Sequence, residues 1–180
     1  MSVDNKGLIN LQKQLEQLRD EVPDIMEELV IGEGVYAVKQ AKLICKNDVP
    51  DIVNTGDYQN NFHAGNKALT HQNNNDHDGS RPQRSGRRYR IDVYNNLNYA
   101  KPLEYGFRSH FVPGHWSGHV FVYQKNDPEG GMYVGPYGGY VRGHFTLLRA
   151  VKRTKDTQNA RLTRKIDQIL QERLSPRGSG

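Results

Sequence analysis

Three histidines in the segment HFVPGHWSGH are the candidates for metal-dependent chemistry. His110, His115 and His119 are spaced five and four residues apart, and imidazole nitrogens are common zinc ligands. However, Pro113 and Gly114 predict a loop that would not align the three side chains. The segment also contains no carboxylate to orient a ligand or to act as a general base. A His-ligated zinc hydrolase is therefore the least favoured function, and we expect no metal site here.

The sequence indicates no other catalytic centre. No serine lies in a Gly-x-Ser-x-Gly elbow, the turn that exposes a nucleophile in many hydrolases. The glycines in GPYGGYVRG do not follow the strand–turn–helix pattern of a phosphate-binding loop. We therefore expect a protein that is not an enzyme, with no catalytic residue and no cofactor.

An arginine cluster is the clearest charged feature of the chain. Its members, all within ten residues, are Arg81, Arg84, Arg87, Arg88 and Arg90. Arginines at this density favour an anionic partner, which can be nucleic-acid phosphate or the acidic surface of a protein. No helix-turn-helix, zinc finger or stacking platform accompanies them, so a nucleic-acid contact would be non-specific. A basic non-specific nucleic-acid-binding protein is the alternative function, and a solvated basic loop is the simplest interpretation of the cluster.

Composition predicts a small protein that completes its burial against neighbours. The chain has 180 residues, 35% of them hydrophobic, and a net charge of +5; its mean hydropathy is −0.83. Acidic residues concentrate in the first 35 positions and basic ones later, which suits head-to-tail contact between subunits, a polyanion or simple solvation. The single cysteine, Cys45, is expected to be a buried small hydrophobe. No apolar run is long enough to span a membrane.

Hydrophobic spacing predicts helices at both ends. Leucines three and four residues apart, at 8, 11, 15 and 18, indicate a first helix. Pro23 is expected to end it and to begin a second helix that runs to about residue 46. The tetrapeptide Asn54-Thr55-Gly56-Asp57 is then expected to form a turn, with Gly56 at positive φ or closely packed. After Gly143 the spacing becomes helical again.

The middle of the chain is expected to hold the strands. The segment RRYRIDVYNN alternates like a strand. Residues 70–86 contain no apolar side chain and are expected to form an exposed loop. Residues 119–124 and 131–141 bracket a turn and are expected to pair as a hairpin, within a loop and hairpin insertion at 110–140.

These elements predict a single α+β domain over residues 1–174, followed by a disordered tail at 175–180. Its antiparallel sheet would have about four to five strands, packed by N-terminal helices and a long C-terminal helix.

Three motifs follow one another in a fixed order along the chain. The first is Val53-Asn54-Thr55-Gly56, the second is Asn96–Gly106 with the sequence NLNYAKPLEYG, and the third is Arg142-Gly143-His144-Phe145. Together they resemble the head–tail joining proteins of tailed bacteriophages, in the tail-terminator, tail-completion and neck group, and the resemblance covers roughly residues 25–152. The resemblance implies packing roles for motif residues, which are Tyr99, Ala100, Pro102, Glu104, Tyr105, Gly106, Gly143, His144 and Phe145. The corner formed by Tyr99–Gly106 is expected to pack beneath the turn at Asn54–Asp57.

The resemblance implies a structural virion protein, assembled in the host cytoplasm, that forms a homo-oligomeric ring at the head–tail interface. A hexamer is favoured and a dodecamer is possible. The ring would terminate or complete the tail tube and dock it to the connector. Its partners would be the tail tube protein, the head-side stopper or connector protein and, non-specifically, genomic DNA in the lumen.

Overall fold

The computed structural model describes residues 6–48, 56–68, 75–127 and 130–174. Contacts divide the chain into two compact units. One comprises the described residues up to Asn96 together with those from Leu147 onward, and the second is Leu97–Thr146. In the part of the chain that is described, no helix has a stretch long and apolar enough to cross a membrane.

The first helix, α1, runs without interruption over Lys6–Asp48, so the predicted break at Pro23 is wrong. A proline inside a helix removes one backbone hydrogen bond and costs about 3 kcal/mol. Ion pairs with the C-terminal helix lie on both sides of Pro23, at Glu21 and at Glu28. Exposed ion pairs contribute at most about 1 kcal/mol each, so they offset only part of the cost of the proline, and Leu29, buried about one and a half turns further on, adds packing on the same helix.

The second half of α1 supplies most of the hydrophobic core of the first unit. It buries Leu29, Ala37, Val38, Ala41, Ile44 and Cys45, and Cys45 is the buried small hydrophobe that its helical setting predicts. Gly34 lies where this helix comes close to Ala64 and Ile91. A Cβ at Gly34 would lie 3.0 Å from the Cβ of Ala64 and 3.0 Å from Cγ2 of Ile91. A glycine therefore allows an approach that alanine would obstruct.

A short helix and a two-stranded sheet complete this core. Gly56 has φ 79°, as the turn predicts, and precedes α2 (Asp57–Asn60); Asn54 and Thr55 lie outside the described residues. β1 (Phe62–Gly65) follows α2 directly and pairs antiparallel with β4 (Asp92–Asn95). Between them, β2 (Gln83–Ser85) and β3 (Arg88–Arg90) form a separate hairpin. The side chains of Tyr58, Phe62, Ala64 and Tyr94 are buried here.

The unit Leu97–Thr146 consists of a short helix and five strands. These are α3 (Ala100–Tyr105), β5 (Gly106–Arg108), β6 (His110–Ser117), β7 (Val120–Tyr123), β8 (Gly131–Val134) and β9 (Tyr140–Arg142). β5 pairs with β9, and β6 pairs with both β7 and β8 in the order β7-β6-β8. The predicted hairpin of 119–124 with 131–141 is therefore wrong. The histidine segment is a strand, because Gly118 (φ 62°) and His119 form a tight turn that folds β7 back onto β6.

The strands of the described residues form four sheets of two or three strands each, and a single sheet of four to five strands is not among them. Most strands have only three or four residues, and glycines at positive φ, such as Gly65 and Gly135, interrupt the extended chain. The C-terminal helix, α4, is one helix over Thr146–Leu174. Long helices at both ends and a mixture of helix and sheet agree with the predicted α+β class.

α1 and α4 run antiparallel and are joined by a ladder of ion pairs. Glu21 pairs with Arg173, Glu28 with Lys165, and Glu33 with Arg161. From the first of these pairs to the last, the residue number rises by 12 on α1, from Glu21 to Glu33, and falls by 12 on α4, from Arg173 to Arg161. Asp48 extends it by accepting from both Arg149 and Arg153. The acidic start and basic end of the chain therefore neutralise one another, at least partly, within one molecule.

Arg161 is the most enclosed cation of this ladder. Its Nε donates to Oε1 of Glu33 at 3.0 Å, and its Nη2 donates to the carbonyl of Thr154 at 2.9 Å. Its Cζ lies 3.7 Å from the ring centroid of Tyr36, a cation–π distance. The hydrogen bonds to Glu33 raise the pKa of Arg161, although its burial opposes the shift. One guanidinium thus links both helices.

We expect Arg161→Ala to lower the free energy of unfolding by about 3 kcal/mol, because Glu33 would remain as a poorly solvated charge. Only 18% and 15% of the Arg161 and Glu33 side chains are exposed. Arg173→Ala is the matched control: its pair with Glu21 is 51% and 39% exposed, so the loss should be below about 1 kcal/mol. Urea denaturation measures both values, and equal losses would contradict the assignment.

Candidate functional site

The structure brings the two downstream motif segments of the chain together in one corner of the second unit. Gly106 pairs with Arg142 across β5 and β9. The backbone N–H of His144 donates to the carbonyl of Leu103 at 2.9 Å, and that of Phe145 donates to the carbonyl of Glu104 at 3.0 Å. Residues separated by about forty positions in the sequence are therefore joined by a continuous set of backbone hydrogen bonds.

Glycines make this corner possible. A Cβ at Gly143 would overlap the carbonyl of Glu104 and the N–H of Gly106, and Gly106 itself has φ 85°. Phe145 also has a positive φ, 51°, which is uncommon for a bulky residue. Its ring makes an edge-to-face contact with Tyr105, with centroids 6.5 Å apart. The corner is thus a tightly specified backbone arrangement.

The other residues of the motif lie around this arrangement. Tyr99 caps α3, and Ala100 and Pro102 form its first turn. Glu104 is buried, whereas Tyr105 is 57% exposed. The hydroxyl of Tyr140, on β9, donates to the carbonyl of Tyr105.

The second unit has almost no hydrophobic interior. Among the described residues of 97–146, only Glu104, Gly114, Gly143 and Thr146 are buried, and none of these carries a large apolar side chain. Its exposed aromatic residues are Tyr99, Tyr105, Phe111, Trp116, Tyr123, Tyr133, Tyr137 and Tyr140. Exposed apolar surface on this scale is typical of a surface that binds another protein.

Two aromatic residues of β6 each contact an aromatic residue on a neighbouring strand. Phe111 contacts Tyr133 on β8, with ring centroids 5.5 Å apart. Trp116, which is 60% exposed, contacts Phe121 on β7, with centroids 5.4 Å apart. Because Phe111 and Trp116 have opposite parity along the strand, the two pairs project from opposite faces of the sheet. Aromatic side chains are therefore exposed on both faces.

The three histidines do not converge. Nδ1 of His115 is paired with the carboxylate of Asp127, and His110 is hydrogen-bonded to the carbonyl of Arg108 at 3.1 Å. His119 lies in the exposed turn between β6 and β7. Within the described ranges, no group of three or more His, Cys, Asp or Glu side chains could hold a metal ion. Asp127 was missed because it is distant in sequence and joins His115 only through strand pairing.

The arginine cluster forms the exposed β2–β3 hairpin and its approach. All five arginines of the cluster are exposed. Arg90 pairs with Asp92 at 2.9 Å, and Arg84 lies over the ring of Tyr89 at 5.4 Å. Arg87 and Arg88 occupy the tip of the hairpin and the start of β3. The hairpin therefore presents a dense positive charge to solvent.

The prediction that residues 70–86 form an exposed loop is wrong in part. Asp78, Ser80 and Pro82 are buried, and Gln83–Ser85 form the exposed strand β2. Residues 69–74 lie outside the described part. Residue 77 forms a bridge with Ala64 of β1. The segment contains no apolar side chain other than Pro82, so it is held by polar contacts instead of by a hydrophobic core.

Asp78 is the centre of these polar contacts. Its carboxylate accepts from the hydroxyl of Tyr94 at 2.7 Å, the backbone N–H of Asn66 at 2.9 Å, and the N–H and hydroxyl of Ser80 at 2.8 and 2.6 Å. Gly65 leaves room for it, since a Cβ there would overlap the carboxylate. The Asp-Gly-Ser sequence is a recognisable turn signal, but nothing in it indicates burial.

Hydrogen bonding decides the charge state of Asp78. Burial alone would raise its pKa, but the bonds from Ser80, Tyr94 and Asn66 outweigh burial and hold the pKa at about 2. Burial and the neighbouring Asp78 carboxylate raise the pKa of Tyr94, so its hydroxyl stays protonated and donates. The segment that leads into the arginine hairpin is therefore held against the core by a buried anion.

Comparisons with protein-family models, with curated proteins and with solved structures found no match for this chain.

We expect the contribution of Asp78 to stability to disappear in acid. Its folded pKa of about 2 lies below the ordinary value of 3.8. The charged form therefore stabilises the fold above about pH 4, by about 2 kcal/mol, and this contribution is lost as the pH falls from about 4 to about 2. Measured by urea denaturation, the difference between wild type and Asp78→Asn should shrink over that range.

Asp156→Asn, which removes an exposed carboxylate of α4, controls for the loss of one negative charge. A wild type minus Asp78→Asn difference that stays constant down to pH 2 would show that Asp78 is not the buried anion described.

Proposed function

We propose that this chain is a structural subunit of a tailed-bacteriophage particle. It forms a homo-oligomeric ring at the head–tail interface, most simply a hexamer, that completes the tail tube and docks it to the head-side connector. The subunit acts through its surfaces and carries out no covalent chemistry.

The observation that carries this proposal is the uncovered unit Leu97–Thr146. A unit of this size needs buried apolar surface to be stable, and its described residues bury no large apolar side chain. Tyr, Trp and Phe are the residues enriched at protein interfaces, because they bury large areas while Tyr and Trp keep a polar group. Packing against neighbouring subunits would cover the aromatic faces around Phe111 and Trp116.

The motif corner supports the resemblance to head–tail joining proteins. The segments NLNYAKPLEYG and RGHF are distant in the sequence, yet Gly143 lies against Glu104 and Gly106 in the fold. Because the two segments contact each other, the requirements of packing explain why both occur in one chain. The first motif adds only Gly56, since its other members lie outside the described residues.

The arginine hairpin supports a second candidate function, non-specific binding of nucleic acid. Its tip residues Arg87 and Arg88 are exposed, and the hairpin follows the buried residues Asp78, Ser80 and Pro82. In the ring the same hairpin would face an acidic surface of an adjacent ring or the DNA in the lumen. We favour docking to protein, because an ordered contact contributes more to a ring than a weak grip on passing DNA.

We expect the purified protein, or the protein with its tail tube partner, to form rings. Native mass measurement and negative-stain imaging test this directly. Trp116→Glu should prevent assembly, because it places a charge in the aromatic sheet surface. His119→Glu, in the adjacent exposed turn, is the matched control and should leave assembly intact. A wild type that stays monomeric even with the tail tube protein would argue against the proposal.

The hairpin is tested by Arg87→Ala combined with Arg88→Ala. If it docks to protein, the double variant should impair the joining of heads to tails and leave DNA affinity unchanged. If it binds DNA, the log–log salt slope should become shallower by about 0.9 for each phosphate that the variant no longer neutralises. Lys152→Ala with Lys155→Ala, two exposed lysines of α4, controls for charge. Unchanged assembly and an unchanged slope would leave the hairpin without a binding role.

A further inference from the structure

β7 is an edge strand, and one of its two sides pairs with no other strand in the described part of the chain. The strand order of its sheet is β7-β6-β8, so β6 occupies only the inner side of β7. An edge of this kind presents a row of backbone N–H and C=O groups, which pair either with water or with another extended chain. The chemistry of this edge therefore indicates the class of its partner, which is an extended polypeptide segment.

Two residues of β7 direct their backbone groups away from β6. The N–H of Gln124 donates to the carbonyl of Pro113, on β6, at 3.2 Å, so the backbone groups of Gln124 face β6. In an antiparallel pair the backbone groups of successive residues face opposite sides of the strand, and those of Val122 therefore also face β6. The N–H and C=O groups of Phe121 and Tyr123 consequently point outward, at the free edge.

β7 also lacks the residues that normally protect an edge strand. Its sequence is VFVY, without the charges or the proline that natural proteins use to keep other chains from pairing with an edge. The side chains are accessible as well, since Val120, Val122 and Tyr123 are 66%, 40% and 63% exposed. Both the backbone edge and the apolar side chains beside it are thus open to a second strand.

The opposite edge of the same sheet, β8, is less accessible. Glycines at positive φ lie at both of its ends, with Gly130 at φ 120° and Gly135 at φ 88°. At Gly135 the sheet of β5 and β9 comes close, because a Cβ there would lie 3.0 Å from Cγ2 of Val141 and 3.4 Å from Cε2 of Phe107. A second chain therefore has better access to β7 than to β8.

The segment VFVY is complementary to itself in the antiparallel direction. When two copies are centred on Val122, Phe121 of each strand lies opposite Tyr123 of the other. These are the residues whose backbone groups point outward, so each of the two pairs can exchange two backbone hydrogen bonds. The same register sets aromatic side chains opposite each other, beside Trp116, whose ring already contacts that of Phe121 at 5.4 Å. A second copy of this chain thus matches both the hydrogen bonds and the side chains of the edge.

We propose that β7 pairs antiparallel with β7 of a second copy of this chain, centred on Val122. The contact is two-fold symmetric, so both copies use the same surface. It does not depend on the proposed place at the head–tail interface. A two-fold contact is not the repeating contact of a ring, and within the proposed function it belongs to the free protein before ring assembly.

Charges placed at the centre of the contact test this register. Because Val122 would face its own copy, Val122→Lys and Val122→Glu should each set like charges opposite one another and raise the dissociation constant of the full chain by about fivefold or more. An equimolar mixture of the two variants sets opposite charges across the contact, so association should recover. Sedimentation across a dilution series measures all three samples, and circular dichroism checks that each variant is folded.

Val120 provides the matched control on the same strand. In this register Val120 lies opposite Gln124 of the other copy, so Val120→Lys and Val120→Glu should not rescue each other when they are mixed.

A second pair of variants tests the backbone hydrogen bonds. Tyr123→Pro removes an outward N–H, a change that an edge strand tolerates, and should weaken association more than Tyr123→Ala, which keeps that N–H.

Three outcomes would overturn the inference. One is a wild type that remains monomeric at the highest concentration. The second is a pair of Val122 variants that each associate like the wild type, and the third is a mixture of these variants that recovers no association. The proposed function fails separately: a wild type that forms this pair but forms no ring with the tail tube protein would leave the strand contact and remove the head–tail assignment. Rings formed by a wild type that never pairs through β7 would do the reverse.

Discussion

A ladder of ion pairs joins α1 to α4, the two long helices of the first unit, and the Arg161–Glu33 pair is its most enclosed part. A helix of 43 residues is about 65 Å long, far longer than the small sheet of β1 and β4 can cover. Its second half packs on that sheet, and ion pairs join its middle to α4. Acidic residues of α1 form ion pairs with basic residues of α4 within one molecule. Only the surfaces of α1 and α4 outside this ladder are free to contact other molecules.

The two units meet the need for burial in different ways. The first has a conventional core around Val38, Ile44 and Phe62, together with a buried polar centre at Asp78. The second has close backbone packing at Gly143 and Gly106 but leaves its aromatic side chains exposed. Backbone hydrogen bonds specify its shape without supplying hydrophobic stabilisation. Exposed aromatic surface of this extent is typical of protein interfaces, and it is the physical basis for the proposed assembly.

Local pattern predicted those features whose causes are local. The terminal helices, the burial of Cys45 and the positive φ of Gly56 follow from residue type and spacing within a few turns. The continuous helix through Pro23 did not, because the tertiary contacts on either side of the proline, including ion pairs with residues about 140 positions away, are not visible in the local pattern. The pairing of β6 with both β7 and β8 was also missed, since aromatic residues on both faces remove the alternation that normally identifies a strand. Asp78 shows the same limit: a polar loop is buried only because Tyr94 and Asn66 donate to it from elsewhere.

The exposed leucines of α1 follow from the same geometry as the ladder. Antiparallel helices of unequal length leave the longer one uncovered at one end, and here that end keeps its heptad spacing at Leu8, Leu11 and Leu15. The same apolar stripe is therefore buried at Leu29 and exposed at Leu8, Leu11 and Leu15, so one helix contributes both to the core and to the surface of the molecule.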